Sequence, residues 1–508
     1  MIKLNGGSMI GRVCTALLLW VTAAIVLPAQ TAPGVLPAPA PAIALAQTFT
    51  TLHSFDYTDG ANPYAGLLQS TDGKLYGTTY YGGSDHFCSR HLGCGTVFKI
   101  TPEGTLTTIY NFGTDGRGQE PWAGLVQATD GSFYGTTTGP HMGGTIFKIT
   151  DGTLTTLHRF QGTDGTAPYA GLVQGADGNF YGTTLYGGAN RCPIGEADTG
   201  CGTVFKITPS GTLTTLYNFD ATDGEDPVAG LVQGTDGNFY GTTLYGGANG
   251  DGTVFKITPN GMLTTLHSFG SQVGDGTWPD GGLVQGTDGN FYGTTLIGGS
   301  HPDFGTVFSI TPSGTLTILH SFGRQGAGEG LNPYAGLVQG TDGNFYGTTE
   351  SGGANGELCN FGYGCGTIFK ITTGGKLTTI YIFCSQSNCP DGASPYAGLV
   401  QDTNGTLYGA TSGGGANGDG TIFSLQVGLG PFVETLPTSA TVGVAVKILG
   451  TSLTGATSVT FNDVAASFTV VSGSEISTTV PSGATTGTVQ VVTAGGTLSS
   501  NVPFQVLP

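Results

Sequence analysis

Charged residues are scarce in this chain. Asp, Glu, Lys and Arg make up 9% of its 508 residues, and 15 Lys and Arg stand against 33 Asp and Glu. The formal net charge of −18 argues against nucleic-acid binding, which needs a Lys/Arg surface to neutralise phosphates. Beyond the N-terminus no window carries the 3.6-residue apolar period of a helix, so helical folds are set aside. No second apolar run long enough to span a bilayer follows. A Gly-x-Ser-x-Gly elbow, a phosphate-binding glycine loop and a His-Glu-x-x-His segment are also missing, and with them the usual marks of hydrolases and nucleotide enzymes.

Glycine is abundant instead, with 92 residues, but without the Gly-X-Y period of collagen. Aromatic residues at 10% exclude a disordered composition. Gly, Thr, Tyr and Phe in this mixture predict many short strands joined by tight turns. The N-terminus reads as an export signal: Lys3 and Arg12 precede an apolar run from Val13 to Leu27, and a Pro/Ala tract continues to Ala46. Cleavage is expected after Ala29 or Ala46. The mature chain would then have no membrane span and would be secreted, periplasmic or held at the cell surface. Apart from Cys14, the cysteines fall in pairs within single loops: Cys88/Cys94, Cys192/Cys201, Cys359/Cys365 and Cys384/Cys389. Repeats with short loops lack both members, so each pair predicts a local disulfide; two Cys per loop would serve a metal poorly.

Three segments recur seven times. Gly-Leu-Val-Gln-Gly-Thr-Asp-Gly-Asn-Phe-Tyr-Gly-Thr-Thr, with variations, starts at Gly66, Gly124, Gly171, Gly230, Gly282, Gly336 and Gly398. Gly-Thr-Val-Phe-Lys-Ile starts at Gly95, Gly144, Gly202, Gly252, Gly305, Gly366 and Gly420. Leu-Thr-Thr-Leu-His-Ser-Phe ends at Phe55, Phe112, Phe160, Phe219, Phe269, Phe322 and Phe383. The spacing, about 55 residues, suits four-stranded propeller blades. Strand A is Gly-Leu-Val-Gln, an Asp-Gly hairpin turn leads to strand B (Phe-Tyr-Gly-Thr-Thr), strand C is Thr-Val-Phe-Lys-Ile, and a Pro-x-Gly turn leads to strand D. The Tyr of strand B (Tyr76, Tyr134, Tyr181, Tyr240, Tyr292, Tyr346, Tyr408) reads as core.

The phase of the repeats predicts a ring. The first element after the leader is a lone strand D, Thr48 to Phe55, and the last repeat ends on strand C near Val427. Closing the ring lets that N-terminal strand complete the last blade and removes an exposed edge. The A-to-B and C-to-D turns then share one face. The D-to-A and B-to-C loops share the other, with all the length variation and all eight paired cysteines, and variable loops on a regular frame are where binding resides. The expected fold is all-β: a leader over 1–46, a seven-bladed β-propeller over 47–427 closed by its N-terminal strand, and an immunoglobulin-like β-sandwich over 428–508.

Residues 48–427 resemble the Gly-rich tandem repeats known as GloVer repeats, found in exported bacterial proteins. The matching residues are Tyr181-Gly182-Thr183-Thr184, Gly187-Gly188 and Gly202-Thr203-Val204-Phe205-Lys206-Ile207, recurring through the seven copies. The blade grammar is also similar to NHL-type propellers. The resemblance implies an exported propeller-like array and no known reaction. Residues 431–508 resemble an IPT/TIG domain through Gly443-Val444-Ala445-Val446, Val459-Thr460-Phe461-Asn462, Val480-Pro481-Ser482-Gly483 and Phe504-Gln505-Val506. Such domains serve as spacers or interaction modules. Some family members bind DNA, but Lys447 is this segment's only basic residue.

Three sets of residues are candidates for chemistry. The D-to-A loops carry Asp59, Asp115, Asp164, Asp223, Asp275, Glu329 and Asp391. These suit Ca²⁺ through carboxylate and carbonyl oxygens, or local turn hydrogen bonds. Tyr64, Trp122, Tyr169, Tyr334 and Tyr396 follow the loop proline, with Val228 and Asp280 interrupting the series. They suit stacking on sugar rings or packing between blades. His86, His91, His141 and His301 break the repeat symmetry, and Arg90, Arg117, Glu120, Arg191, Glu196, Asp198 and Asp303 lie near them. Nothing in their spacing selects an acid–base pair. The expectation is therefore an exported, non-catalytic binding or surface-interaction protein for a glycan or protein ligand, requiring no cofactor though compatible with Ca²⁺. A carbohydrate-active hydrolase or lyase on the same face and a structural surface component are the alternatives. Oligomeric state is not legible.

Overall fold

The computed structural model describes residues 47–84, 88, 92–114, 116, 118–139, 143–192, 200–272, 274–301, 304–323, 328–353, 359 and 363–507. The described residues form an all-β protein without a helix. Seven four-stranded antiparallel sheets among them follow the repeats. The first runs Leu68–Gln69, Leu75–Thr79, Thr96–Ile100, Leu106–Asn111. The last joins Val400–Gln401, Leu407–Thr411 and Thr421–Gln426 to the N-terminal strand Thr48–Ser54. That strand lies antiparallel to Thr421–Gln426, from Thr48 opposite Gln426 to Ser54 opposite Thr421.

Two further side-chain series tie the blades together. The Gln ending each strand A accepts a hydrogen bond from a backbone N–H in the A-to-B turn of the preceding blade. The pairs are Gln127 with Thr71, Gln174 with Thr129, Gln233 with Ala176, Gln285 with Thr235, Gln339 with Thr287 and Gln401 with Thr341, at 2.9–3.2 Å. Gln69 accepts from Thr403 at 2.9 Å and completes the circle. Seven links in a closed cycle make this a seven-bladed propeller. The strand-B tyrosines are core, as expected: Tyr134, Tyr181 and Tyr240 are fully buried. Five of the series stack on the strand-B Phe of the next blade at 3.9–4.2 Å. Tyr181, Tyr240, Tyr292 and Tyr346 donate their hydroxyls to the Asp of the Asp-Gly turn at 2.8–2.9 Å. The turn signal and the core residue of each hairpin are thus one hydrogen-bonded unit.

All four expected disulfides are formed: Cys88–Cys94, Cys192–Cys201, Cys359–Cys365 and Cys384–Cys389. Cys94 is fully buried, and Cys201, Cys365 and Cys384 are buried as well. Cys94 packs in one apolar cluster with Val97 and Phe112. Its carbonyl accepts from Glu120 N–H at 2.9 Å. The reason is its place in the chain. Cys94 directly precedes Gly95, which opens strand C, so the strand draws it into the blade interior. Each such staple therefore ties an outer loop to the blade core.

The C-terminal segment folds as a sandwich of two four-stranded sheets. One orders Glu434–Leu436, Ala445–Leu449, Glu475–Thr479 and Phe468–Val470, and the other Val464–Ala465, Ser458–Phe461, Val489–Thr493 and Gly496–Ser499. Val446, Ile448, Ile476 and Val480 meet Val459, Phe461, Val489, Val491 and Phe504 in its core. The sandwich is seated on the A-to-B turns of the propeller. Phe432 N–H donates to Thr403 O at 3.0 Å, and Ser474 Oγ donates to Thr71 O at 2.8 Å. It therefore occupies the short-turn face and leaves the loop-rich face open.

Candidate functional site

Each D-to-A loop ends in a residue, a proline, a second residue, then Ala-Gly or Gly-Gly. The residue before the proline is left-handed in every blade: Asn62, Glu120, Ala167, Asp226, Trp278, Asn332 and Ser394 have φ of 51–59°. A non-glycine residue holds that conformation only where its surroundings fix it. Here its carbonyl accepts from the residue that follows strand B, as Tyr80 N–H donates to Asn62 O at 3.2 Å and Leu296 N–H to Trp278 O at 2.9 Å. The glycine opening strand C fixes the proline. At Gly420, with φ +99°, a Cβ would stand 2.8 Å from Pro63 Cδ, so only glycine lets the loop close against the neighbouring blade.

The residue after the proline is thereby aimed at the propeller axis. Tyr64, Trp122, Tyr169, Val228, Asp280, Tyr334 and Tyr396 line one funnel of about 270 Å³, floored by the Ala-Gly and Gly-Gly pairs. The aromatic rings form a continuous arc. Tyr64 stacks on Trp122 at 4.4 Å, Trp122 meets Tyr169 at 5.1 Å, Tyr64 meets Tyr396 edge-on at 5.4 Å, and Tyr396 meets Tyr334 at 4.6 Å. All five are half-buried. They pack on one another and still line the funnel, so blade packing and an open aromatic wall coexist.

Carboxylates stand at the ends of the arc and across from it. Tyr80 donates to Glu120 at 3.2 Å and Tyr396 to Glu350 at 3.0 Å. Burial raises both Glu120 and Glu350 above the usual carboxylate range. Asp280 is pushed up to about 7 by burial, and Asp226 to about 7 by burial and then the charge of Glu225. Asp226, Asp280 and Glu350 were not legible as site residues. Asp280 reads as an interruption of the aromatic series until the ring places it in the same wall. The signal was there in three positions that differ from blade to blade: before the proline, after it, and after strand B.

The acidic positions of the D-to-A loops form a different set. Asp115 lies outside the described residues. The other six reach not the axis but strand D, the outermost strand of a blade. Asp59, Asp164, Asp275 and Glu329 bond His53, His158, His267 and His320 at 2.7, 2.7, 3.1 and 2.5 Å. Asp223 and Asp391 accept from Tyr217 and Tyr381. Several also cap the loop backbone, as Gln161 N–H donates to Asp164 at 2.9 Å and Gly323 N–H to Glu329 at 3.3 Å. Each holds its own loop through local hydrogen bonds. Among the described residues, three or more potential metal ligands gather in one place only, the sulfurs of Cys359, Cys365, Cys384 and Cys389, within 4.8 Å of one another. Their two disulfides account for those sulfurs. His86, His91, His141, Arg90, Arg117, Glu196, Asp198 and Asp303 lie outside the described residues. His301 bonds Ser300 at 3.2 Å on the exposed loop.

Fold and site define a disulfide-stapled propeller with an axial aromatic funnel. The family described as the Gloeobacter/Verrucomicrobia repeat matches residues 42–194 and 193–423, and this chain belongs to that family. An IPT/TIG domain matches residues 432–506. No curated protein sequence matches the chain. Among solved structures, the chain is similar to the extracellular domain of a protein described as a hybrid two-component system from B. thetaiotaomicron. The identity is 13% and the TM-score 0.47, with 90% of this chain and 54% of that one covered, so this chain spans about half its length. It is also similar to a protein described as an oxidoreductase (glucose dehydrogenase) from Thermus thermophilus, at 14% identity and TM-score 0.37, with 75% of this chain and all of that one covered. No helix among the described residues is long and apolar enough to cross a membrane.

Proposed function

We propose that this chain is an exported, non-catalytic binding protein whose ligand, an extracellular glycan, seats in the axial funnel of the loop-rich face. The observation that carries this reading is the arc of five aromatic side chains at equivalent positions around one funnel. Sugar rings stack on such faces, and neighbouring carboxylates accept their hydroxyls. The disulfide-stapled loops belong to the same face and fit an oxidising compartment. The sandwich, seated on the opposite face, acts as a spacer that leaves the funnel free. The reading calls for no Ca²⁺: the loop carboxylates among the described residues bond His, Tyr and backbone groups.

A glycan array probed with Ca²⁺ and with chelator, using wild type and Trp122→Ala, tests the reading. Binding without release of shortened products, insensitive to chelator and weakened about tenfold or more in Trp122→Ala, is the expected result. Failure to bind any glycan, or binding untouched by Trp122→Ala, refutes it. Release of shortened products would replace it with a hydrolase or lyase.

A further inference from the structure

One sector of the funnel is built unlike the others. Asp280 stands where five blades present an aromatic ring, lines the funnel and has no hydrogen-bond partner among the described residues. The next residue is Gly281, where the other blades have alanine. A Cβ there would stand 2.5 Å from Thr294 Oγ1 and 2.8 Å from Ala335 O. A strand-B threonine hydroxyl elsewhere bridges to the next blade at this point, as Thr78 donates to Ala123 O and Thr348 to Ala397 O, both at 2.9 Å. Thr242, the counterpart beside Asp280-Gly281, is buried with its hydroxyl unpartnered. The sector gives up a bridge between blades and gains a carboxylate in the funnel wall.

The groups around that carboxylate share its sign or are neutral. Tyr334 and Tyr245 both feel the Asp280 charge, with Glu350 beside Tyr334 and Asp226 and Glu225 beside Tyr245. No Lys, Arg or His lines the funnel among the described residues. A half-buried carboxylate without a hydrogen-bond partner is stabilised most by a cation, and aromatic faces attract cations as well. An anionic sugar would meet only repulsion.

Resting on the funnel as a glycan site, we propose that its ligand is an amino sugar bearing a free ammonium group, seated against Asp280 while its ring stacks on the arc from Trp122 to Tyr334. Neutral sugars would keep only the stacking, and uronic or sulfated sugars would be rejected.

The test is calorimetric titration near neutral pH of the full, disulfide-bonded chain. The probes are a glucosamine oligomer, the N-acetylglucosamine oligomer of equal length, and choline. The glucosamine oligomer is expected to bind about tenfold or more tighter than its acetylated counterpart. Asp280→Asn, near-isosteric, should erase that preference while retaining the stacking, and Asp280→Glu should restore part of it. Trp fluorescence confirms that each variant folds. A preference for the acetylated oligomer, or one unchanged in Asp280→Asn, overturns the proposal and leaves the funnel a glycan site. Choline binding as tightly as the oligomer overturns the saccharide. Binding of neither oligomer overturns this proposal, and the funnel's role in glycan binding falls only if the array is also blank.

Discussion

Replacing Gln69 with alanine tests ring closure through a single side chain. Gln69 is 7% exposed, accepts from Thr403 N–H at 2.9 Å and donates to Thr403 Oγ1 at 3.0 Å, across 334 positions of sequence. Thr403 is fully buried, so alanine leaves its N–H without a partner. An orphaned buried donor costs about 1–3 kcal/mol, and the lost methylene burial adds about 1 kcal/mol. A total of about 2–4 kcal/mol follows. Gln233→Ala removes the equivalent clamp between sequential blades, accepting from Ala176 at 3.1 Å, at a half-buried site where the cost should be about 1–2 kcal/mol. Urea unfolding followed by the fluorescence of Trp122 and Trp278 reads the propeller selectively, because the sandwich contains no tryptophan. In a closed ring Gln69→Ala shifts the midpoint at least as far as Gln233→Ala with an unchanged slope. In an open array Gln69 has no partner to lose. A Gln69→Ala midpoint equal to wild type, beside a destabilised Gln233→Ala, would refute closure.

Three other outcomes are expected. Asp280 and Glu434 are each pushed up to about 7, Asp280 by burial and Glu434 by burial and then the Asp402 charge. A folded-state pKa raised above the unfolded value contributes stability at low pH that is lost as pH rises from about 4 through about 7. Melting temperature should fall across that interval, and Asp280→Asn should flatten the fall; an unchanged slope speaks against ionisation of Asp280 as its cause. Replacing Cys192 and Cys201 together by serine should cost at most about 2–3 kcal/mol, since the loop they close is short, and proteolysis should then nick that loop first. Asp164→Ala removes the bonds to His158 and Gln161 N–H. It should cost about 1–3 kcal/mol and raise hydrogen exchange in its own D-to-A loop alone; exchange rising across the axial funnel would contradict a local role.

Much of the architecture was legible because its determinants are local. Asp-Gly and Pro-x-Gly turns, alternation in Thr-Val-Phe-Lys-Ile, and cysteines five to nine positions apart act within one hairpin or loop. The offset between a leading strand D and a final strand C determined closure, since only the pairing of Thr48–Ser54 with Thr421–Gln426 satisfies both edges. The pairing of Cys88 with Cys94 was legible for the same reason, while the burial of Cys94 was not, because it depends on packing against Phe112, just past the end of strand D. The site was less legible because its members belong to different blades. The acidic residues of the D-to-A loops suited either a Ca²⁺ ring or local turn hydrogen bonds in the sequence; the six that are described each bond a strand-D side chain next to their own loop. The less regular residues after the proline are the ones that meet, because the left-handed residue before each proline and the closure of seven blades aim them at one axis. Asp280 and Tyr64 lie more than 200 positions apart in sequence, and no local pattern relates them. Seating the sandwich on the A-to-B turns likewise depends on contacts such as Ser474 with Thr71. Sequence alone set the strands, the turns, the staples and the ring, through interactions a few residues long. Tertiary structure decided which side chains share the funnel and which face remains open, through contacts that exist only once the ring is closed.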